Sequence, residues 1–552
     1  MSSRPRLTVF LWIGFVLVLG WLTFVTSEVM KYIEIEEMTM KSVGLPTLAG
    51  LAAIFGVVVL LYGAVWGGKA VMQWANGGAA VVAQPVPLTA EQIAERERTF
   101  ALEIRAAGLA VDQDHHSKIW RLIQKKNDNF SSIFSSDPKA YPYNRDSRRT
   151  VAAINTRVAF RHSARDAVAY WPLPTFALGP LKQPEDSGSA GNILGGRNAA
   201  TLGVTLFLWQ EADNTTHAQP MIEKLFQFFD DNPEVPEALI VSEDGDTTRN
   251  GLRVAGTPGM QDGYAVPKVY EAMTGLLVSR SDRVDQYLRP FATNEEEDNQ
   301  NKRTDMGKLW AFYWKKDTQY ENFYAEAKRA EGIRWAVSPG TMPSAYWHAQ
   351  LPELWQTLSN RGPGHFKPTP WLPVRWAEHQ IKEFDAAPML GYLHRPIKVA
   401  MTDENGKKLK PALQVKALQG AWLKALNTLP EGAAPVRVFY DSTDNIDGLI
   451  ALNNALHGLN TDGTGIELGN VDEGYDLGRR LGNTGVSSAL VAINLASMAS
   501  YLDGGTSAVV YNGSDGSTTV QMVRPPDEAT KTQNAKTRWA DPFSFGAPGV
   551  TQ

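Results

Sequence analysis

The chain has 552 residues and a net charge of −5, with 54 Lys and Arg set against 59 Asp and Glu. Both signs are spread along its length, which argues against a nucleic-acid surface, since that would show as a basic stripe. Cysteine is absent, so disulfides, thiolate zinc sites, iron–sulfur clusters and cysteine nucleophiles are excluded.

Residues 7–25 (LTVFLWIGFVLVLGWLTFV) and 42–68 carry no charge. A bilayer core about 30 Å thick needs roughly 20 apolar residues at a rise of about 1.5 Å each. Both runs are long enough, and only a helix hides its backbone polar groups in lipid. Residues 1–69 are therefore expected to form a hairpin of two transmembrane helices. Arg4 and Arg6 precede the first run, whereas the loop between the runs holds Glu28, Glu34, Glu36 and Glu37 against Lys31 and Lys41. Basic flanks stay on the cytoplasmic side, which places the N-terminus and everything after Lys69 in the cytoplasm. Two readings compete. One is a cleaved signal peptide, which would leave a periplasmic body, although no clear small-residue cleavage pattern precedes Glu28. The other is a pair of buried helices in a soluble protein.

Residues 70–88 are rich in Gly, Ala and Pro and read as a linker. The rest divides into an N-terminal α/β domain (89–290), an aromatic-rich helical insert (291–390), a C-terminal α/β domain (391–525) and a flexible tail (526–552). Thr89 and Gln92 make a capping box. The helix it opens places Ile93, Phe100 and Ile104 on one side and ends at Gly108. A second helix covers 118–126, and residues 135–149 (SSDPKAYPYNRDSRR) are turn-rich. Then strand (203–210), helix (218–232, with Pro220 in its first turn) and strand (237–244) follow in order. The same order returns as strand 396–401, helix 411–429 and strand 435–442, a possible internal duplication. Between the two units lie a helix at 266–280, a charged loop at 294–305, an aromatic helix at 305–330 and an irregular Pro-rich stretch at 361–373. The final segment holds a helix at 445–459, a glycine turn opening an apolar small-residue helix at 482–502, and a hairpin of strands 506–512 and 517–524.

Motifs that would name a reaction are missing. There is no phosphate loop, dinucleotide fingerprint or G-x-S-x-G elbow, and SGSAG at 187–191 has the wrong register in a flexible loop. The backbone amides of Gly485 and Val486 open a helix and could hold an anion, though a tight strand-to-helix connection explains the same glycines. His115 and His116 are adjacent, so their side chains diverge; a solvated pair is expected, with no metal site and no cofactor. Asp244 and Asp246 follow one buried strand, and Asp441, Asp444 and Asp447 follow what is taken as its counterpart. Carboxylates at strand C-terminal ends of α/β folds often meet metal or substrate. Turn and N-cap roles are the favoured reading, with Asp444 capping the 446–459 helix. Asp244, Asp246, Asp441 and Asp444 form the candidate acidic site. Trp310, Tyr313, Trp314, Tyr320 and Tyr324 fall near one helical face. Such a stripe serves either as core or as a protein-binding surface with aromatic anchors.

The duplicated units, followed by GNTGVSSALVAINLASMASYL and a hairpin, resemble the thiolase-like fold of condensing enzymes. That family requires a nucleophilic cysteine and activating histidines; a chain without cysteine can share only the architecture. SSDPKAYPYNRDSRR, EALIVSEDGDTTRNG, PVRVFYDSTDNIDGL and the NTG helix also resemble the type VI lipase adapter protein family of Gram-negative bacteria, over roughly residues 100–525. The resemblance implies a non-enzymatic adapter that binds a phospholipase effector in the cytoplasm and helps load it onto the type VI secretion spike. No catalytic residue carries over. The N-terminal hairpin departs from a freely soluble adapter and implies a member tethered to the inner membrane, or one with another partner. The competing expectation is a membrane-anchored hydrolase or transferase that uses the acidic strand ends.

Overall fold

The computed structural model describes residues 18, 19, 21 and 23, then 95, 97–180, 200, 202–210, 217–251, 253, 257–330, 341–443, 445–460, 465–538 and 540–544. Apart from those first four positions, both expected membrane spans and the 70–88 linker lie outside the described residues, as does SGSAG at 187–191. Residues Met1–Leu88 and Thr89–Gln552 form two separate units.

The second unit is built on one mixed sheet. Its first half contains β1 (Ala101–Val111), the short β2 (Asp114–His115), β3 (Pro172–Leu178), β4 (Leu206–Gln210), β5 (Glu237–Asp244) and β6 (Ala272–Ser279). Its second half contains β7 (Gly391–His394), β8 (Ile397–Ala400), β9 (Pro435–Tyr440), β10 (Gly474–Asp476), β11 (Thr506–Asn512) and β12 (Ser517–Arg524). The path runs β10-β9-β11-β12-β7-β1-β6-β5-β3-β4, with β8 continuing β7 along β12. In the first half β4, β3 and β5 are parallel, β6 runs against β5, and β1 runs against β6. In the second, β10, β9 and β11 are parallel, β12 runs against β11, and β7 with β8 runs against β12. The halves join where β1 pairs antiparallel with β7.

The helices are α1 (Ser117–Lys125), α2 (Arg145–Ala164), α3 (Gln219–Asp231), α4 (Asp246–Gly251), α5 (Asp305–Ala330), α6 (Ser344–Trp355), α7 (Glu378–Ala386), α8 (Pro411–Leu426), α9 (Ile446–Leu459), α10 (Leu477–Arg480), α11 (Ser488–Asp503) and α12 (Glu528–Arg538). The strand order makes the body a duplicated, thiolase-like α/β fold. The register of the duplication differs from the expected one. β1-α2-β3 matches β7/β8-α8-β9, and α3-β5-β6 matches α11-β11-β12. The counterpart of β9 is thus β3, and the counterpart of β5 is β11.

Helix α11 explains how the halves share a core. Residues Ala489 to Tyr501 are all buried, and the helix packs on β9, β11 and β12 as well as on β6 and β1. Ala and Ser let both sheet faces approach it closely, so it has no polar side. Among the described residues the segment Gly485–Asp503 is the one helix long and apolar enough to cross a membrane, yet 83% of that window is buried inside the body.

Three expected elements differ. The helix read through to Gly108 gives way at Phe100 to β1, and the helix read over 266–280 is replaced by β6. Both strands are covered on both faces, so the two-residue alternation that would mark them is erased, and pairing overrides the helix preference of Ala, Leu and Glu. Gly108 is there for packing: a Cβ on it would collide with the Ala159 carbonyl of α2, and one on Gly275 of β6 with Ser163 of the same helix. Helix α2 itself begins inside the turn-rich 135–149 stretch, where the Asn144 side chain accepts from the Asp146 N–H at 2.6 Å. Finally, the segment read as a flexible tail contains α12. There Asn534 Nδ2 donates to the Met389 carbonyl at 2.7 Å, and the buried Phe543 packs on Tyr501.

Candidate functional site

The acidic strand ends meet a single helix terminus. Asp244, the last residue of β5, is fully buried. Its Oδ2 accepts from the Val486 N–H at 2.8 Å, and its two oxygens take a fork from Arg249 at 2.8 Å each. A Cβ at Gly485 would overlap this carboxylate, which is why glycine opens the turn. The Asn483 side chain accepts from the Gly485 N–H at 2.8 Å. Asp441, after β9, accepts from the Ser488 hydroxyl in the first turn of α11 and from the Thr443 N–H. The amides expected to bind an anion are therefore occupied by the chain's own Asp244 and Asn483. A carboxylate there satisfies an orphan donor and complements the positive end of the helix dipole.

The other two aspartates do not join them. Asp246 turns the other way and accepts from the backbone N–H groups of Lys268 and Val269. Asp444 lies outside the described residues, and the cap of α9 is Asn445, whose Oδ1 accepts from the Gly448 N–H at 3.0 Å. Asp246 lines a cavity of about 50 Å³ together with Asp112, Tyr141, Arg148 and Glu271. Behind it stand two carboxyls that sequence reasoning passed over. The Thr248 hydroxyl lies 3.4 Å from Glu243 and 3.3 Å from Glu271. Burial pushes both carboxyls up to about 7, against the hydrogen bonds of Thr156 and Thr248 to Glu243 and of Thr247 to Glu271. Burial and the neighbouring Asp114 push Asp112 to about 6. The sequence signal for Glu243 is its place in a strand with no alternation; Glu271 carries none, because the pattern over 266–280 predicts a helix.

The histidine pair is not a solvated one: His115 is half-buried and His116 fully so. His116 is buried, its ring 3.9 Å from that of His162, and its Nδ1 accepts from the Leu109 N–H at 3.2 Å. Burial and the charges of His162 and His115 hold it well below the usual imidazole range.

A larger cavity, of about 300 Å³, lies beside Asp441. Leu418, Leu449, Leu452 and Val510 give it an apolar lining, and Lys408, Asp441 and Asn445 add polar groups. The exposed Leu413, Ile446 and Ile450 stand on the two helices that border it, α8 and α9.

The aromatic stripe on α5 divides along its length. Tyr313 is fully buried, its hydroxyl 2.6 Å from the Phe207 carbonyl and 2.9 Å from Thr341 Oγ1. Trp310 is half-buried against Tyr170 and Trp314, with ring centroids 5.4 and 5.6 Å away. Trp314 is half-buried as well. Further on, Tyr320 is half-buried between Tyr324 and Tyr346, Tyr324 is half-buried as well, and Phe323 is 63% exposed. Tyr313 is core, Trp310, Trp314 and Tyr320 pack half-buried against that core, and Phe323 is the exposed aromatic of the helix. Lys315 is exposed, whereas Lys316 is buried over the Phe312 ring; both hold Glu353, whose carboxyl they draw down to about 2.

Two family models match the chain. The model described as Type VI lipase adapter protein Tla3, N-terminal, covers residues 100–262, and its C-terminal counterpart covers 390–525. Together they span more than half of the chain. Among solved structures, the ketosynthase from module 1 of the bacillaene synthase of Bacillus amyloliquefaciens covers 77% of this chain and 76% of its own, at 9% identity and a TM-score of 0.39. The ishigamide ketosynthase/chain length factor is similar at 11% identity and a TM-score of 0.37, over 77% of this chain and 100% of its own. Overlaps this loose carry no conclusion about chemistry; the duplicated architecture rests on the strand order itself.

Proposed function

The chain belongs to the type VI lipase adapter protein family, and from that membership we propose that it is a non-enzymatic adapter that binds a phospholipase effector and brings it to the type VI secretion spike. The match of both family models, one on each α/β half, is the observation that carries the reading. The acidic strand ends support it from the chemical side. Asp244 and Asp441 are taken up in securing α11, and Asp246 in securing the 268–269 backbone. A hydrolase or transferase built on those four aspartates would need them free and convergent on a substrate.

Tethering to the inner membrane through residues 1–69 belongs to the same proposal and rests on the two charge-free runs. It would raise the local concentration of the body near other membrane-bound machinery. For the effector contact we favour the distal end of α5, where Tyr320, Phe323 and Tyr324 present aromatic surface, the residue type that anchors protein interfaces.

Affinity capture of the full chain from native membranes, followed by mass spectrometry, should recover a phospholipase and a spike protein. Phe323→Asp should reduce effector capture at least tenfold with an unchanged unfolding midpoint. Recovery without a phospholipase, or hydrolysis of an ester or phosphodiester by the purified chain, would overturn the adapter reading. Fusions to alkaline phosphatase and green fluorescent protein test the topology, and a fluorescent body without phosphatase activity is expected.

A further inference from the structure

We propose that Glu297, His379 and Glu383 bind one divalent transition-metal ion, for which Zn²⁺ is the probe. His379 and Glu383 stand four residues apart on α7, so their side chains rise from the same face one turn apart. Glu297 reaches them from the acidic loop that precedes α5. One ligand atom from each of the three lies within 4.8 Å of the others. Ligands about a tetrahedral zinc, at bonds of roughly 2.0–2.1 Å, sit roughly 3.3–3.5 Å apart. Small side-chain rotations close that difference.

The frame around the three groups is held independently of any ion. The loop and the helix are joined where the Thr293 N–H donates to the Trp376 carbonyl at 3.0 Å and the Glu378 N–H donates to the Thr293 carbonyl at 2.9 Å. Hydrogen bonds from the Ala169–Tyr170 segment stand behind the two carboxylates. The Ala169 N–H donates to Glu383 Oε2 at 3.0 Å, and the buried Tyr170 hydroxyl donates to Glu297 Oε1 at 3.5 Å. Outer hydrogen bonds of this kind fix ligand orientation, and their loss typically weakens metal binding. Gln380, between the two ligands of α7, donates to the Ala169 carbonyl at 2.7 Å and so docks the helix on the same segment.

The donor set selects the ion class. One imidazole with two carboxylates suits zinc and its neighbours better than calcium or magnesium, which favour all-oxygen sites. The surrounding loop adds Glu295, Glu296 and Asp298, so a cation entering from solvent meets a negative field. With three protein ligands the fourth position falls to water. Bound there, the ion would clamp the acidic loop to α7. The proposal does not depend on the adapter reading.

The test uses the full chain in detergent, stripped with a chelator and dialysed against Zn²⁺ or Co²⁺. About one equivalent of zinc should be retained by elemental analysis, and Co²⁺ should give a visible d–d band. Glu297→Gln, which alters only an exposed ligand and leaves the core untouched, should weaken zinc at least tenfold. His379→Ala should abolish the cobalt band, while His365→Ala, at an exposed histidine elsewhere, should keep both signals. Zinc retained equally by wild type and by the Glu297 and His379 variants, or no zinc retained by wild type, would overturn the site.

Discussion

Removing the Asp244 carboxylate is the most direct test of what the acidic strand ends do. In Asp244→Ala the Val486 N–H, at the start of a helix with no solvent-facing side, loses its acceptor. A buried donor left unpaired costs about 1–3 kcal/mol. Arg249 loses its fork, but its side chain is 45% exposed and can rehydrate, so that share is about 0–1 kcal/mol. The helix-dipole contribution, about 0.5 kcal/mol, falls within this range. The expected total is about 1–4 kcal/mol. Asp441→Ala gives up the Ser488 hydroxyl and the Thr443 N–H at a half-buried position, and about 1 kcal/mol is expected there. Urea unfolding followed by tryptophan fluorescence reads both. Trp120 reports on the far end of the same helix, since its Nε1 donates to Asp503 at 2.6 Å. A chain of this size has an m-value above the roughly 1–3 kcal/mol/M of small proteins, about 4 kcal/mol/M, so the Asp244→Ala midpoint should fall by about 0.3–1 M. Equal midpoints for Asp244→Ala and wild type would refute the capping argument, as would equal losses in the two variants.

Tyr313→Ala empties a fully buried site and strips a hydrogen bond from the Phe207 carbonyl. It should destabilise by about 3–5 kcal/mol and lower soluble yield, in contrast to Phe323→Asp; an intact fold that merely fails to capture an effector would place Tyr313 in an interface. Glu243 titrates near 7 in the folded state, raised by burial from 4.5. Between those two values the folded chain keeps a proton that the unfolded chain has released, so stability falls as pH rises through this window and then levels off. Glu271 shifts in the same direction. Glu243→Gln should therefore gain stability relative to wild type between pH 5 and pH 8, as read by thermal midpoints across that range; a constant difference would contradict the assigned shift.

Sequence pattern was most legible where an element is long or where its ends are marked. Helix α5 agrees with its expected 305–330 span, α3 begins at the expected proline turn, and the β11–β12 hairpin sits on its glycine-flanked loop. It was least legible for β1 and β6. These strands owe their conformation to partners far along the chain, β6 to β1 and β1 to both β6 and β7, and burial on both faces removes their periodicity. The site followed the same rule. Asp244 and Asp441 were legible as carboxylates at strand ends. Their convergence was not, because it depends on α11 being shared by both halves. Glu297 was read as part of a solvated loop, and the match of its reach to His379 and Glu383 depends on the Thr293–Ala377 pairing, which spans the whole insert.

That convergence also closes the one place in the described site where the fold would offer backbone amides to an anion. A helix N-terminus set among strand ends is where an α/β fold offers its backbone amides to an anionic group. In this chain the place is filled from within by Asp244, held by Arg249 and shielded by a glycine that leaves no room for more. The same donors cannot serve a ligand and cap the helix at once. A substitution that vacates them should therefore release anion affinity as it lowers stability: phosphate or sulfate should restore part of the midpoint lost in Asp244→Ala and leave the relative stability of Asp441→Ala unchanged. A general salt effect would raise both variants and the wild type alike, and only the selective response fits an internal carboxylate standing where an anion would otherwise bind.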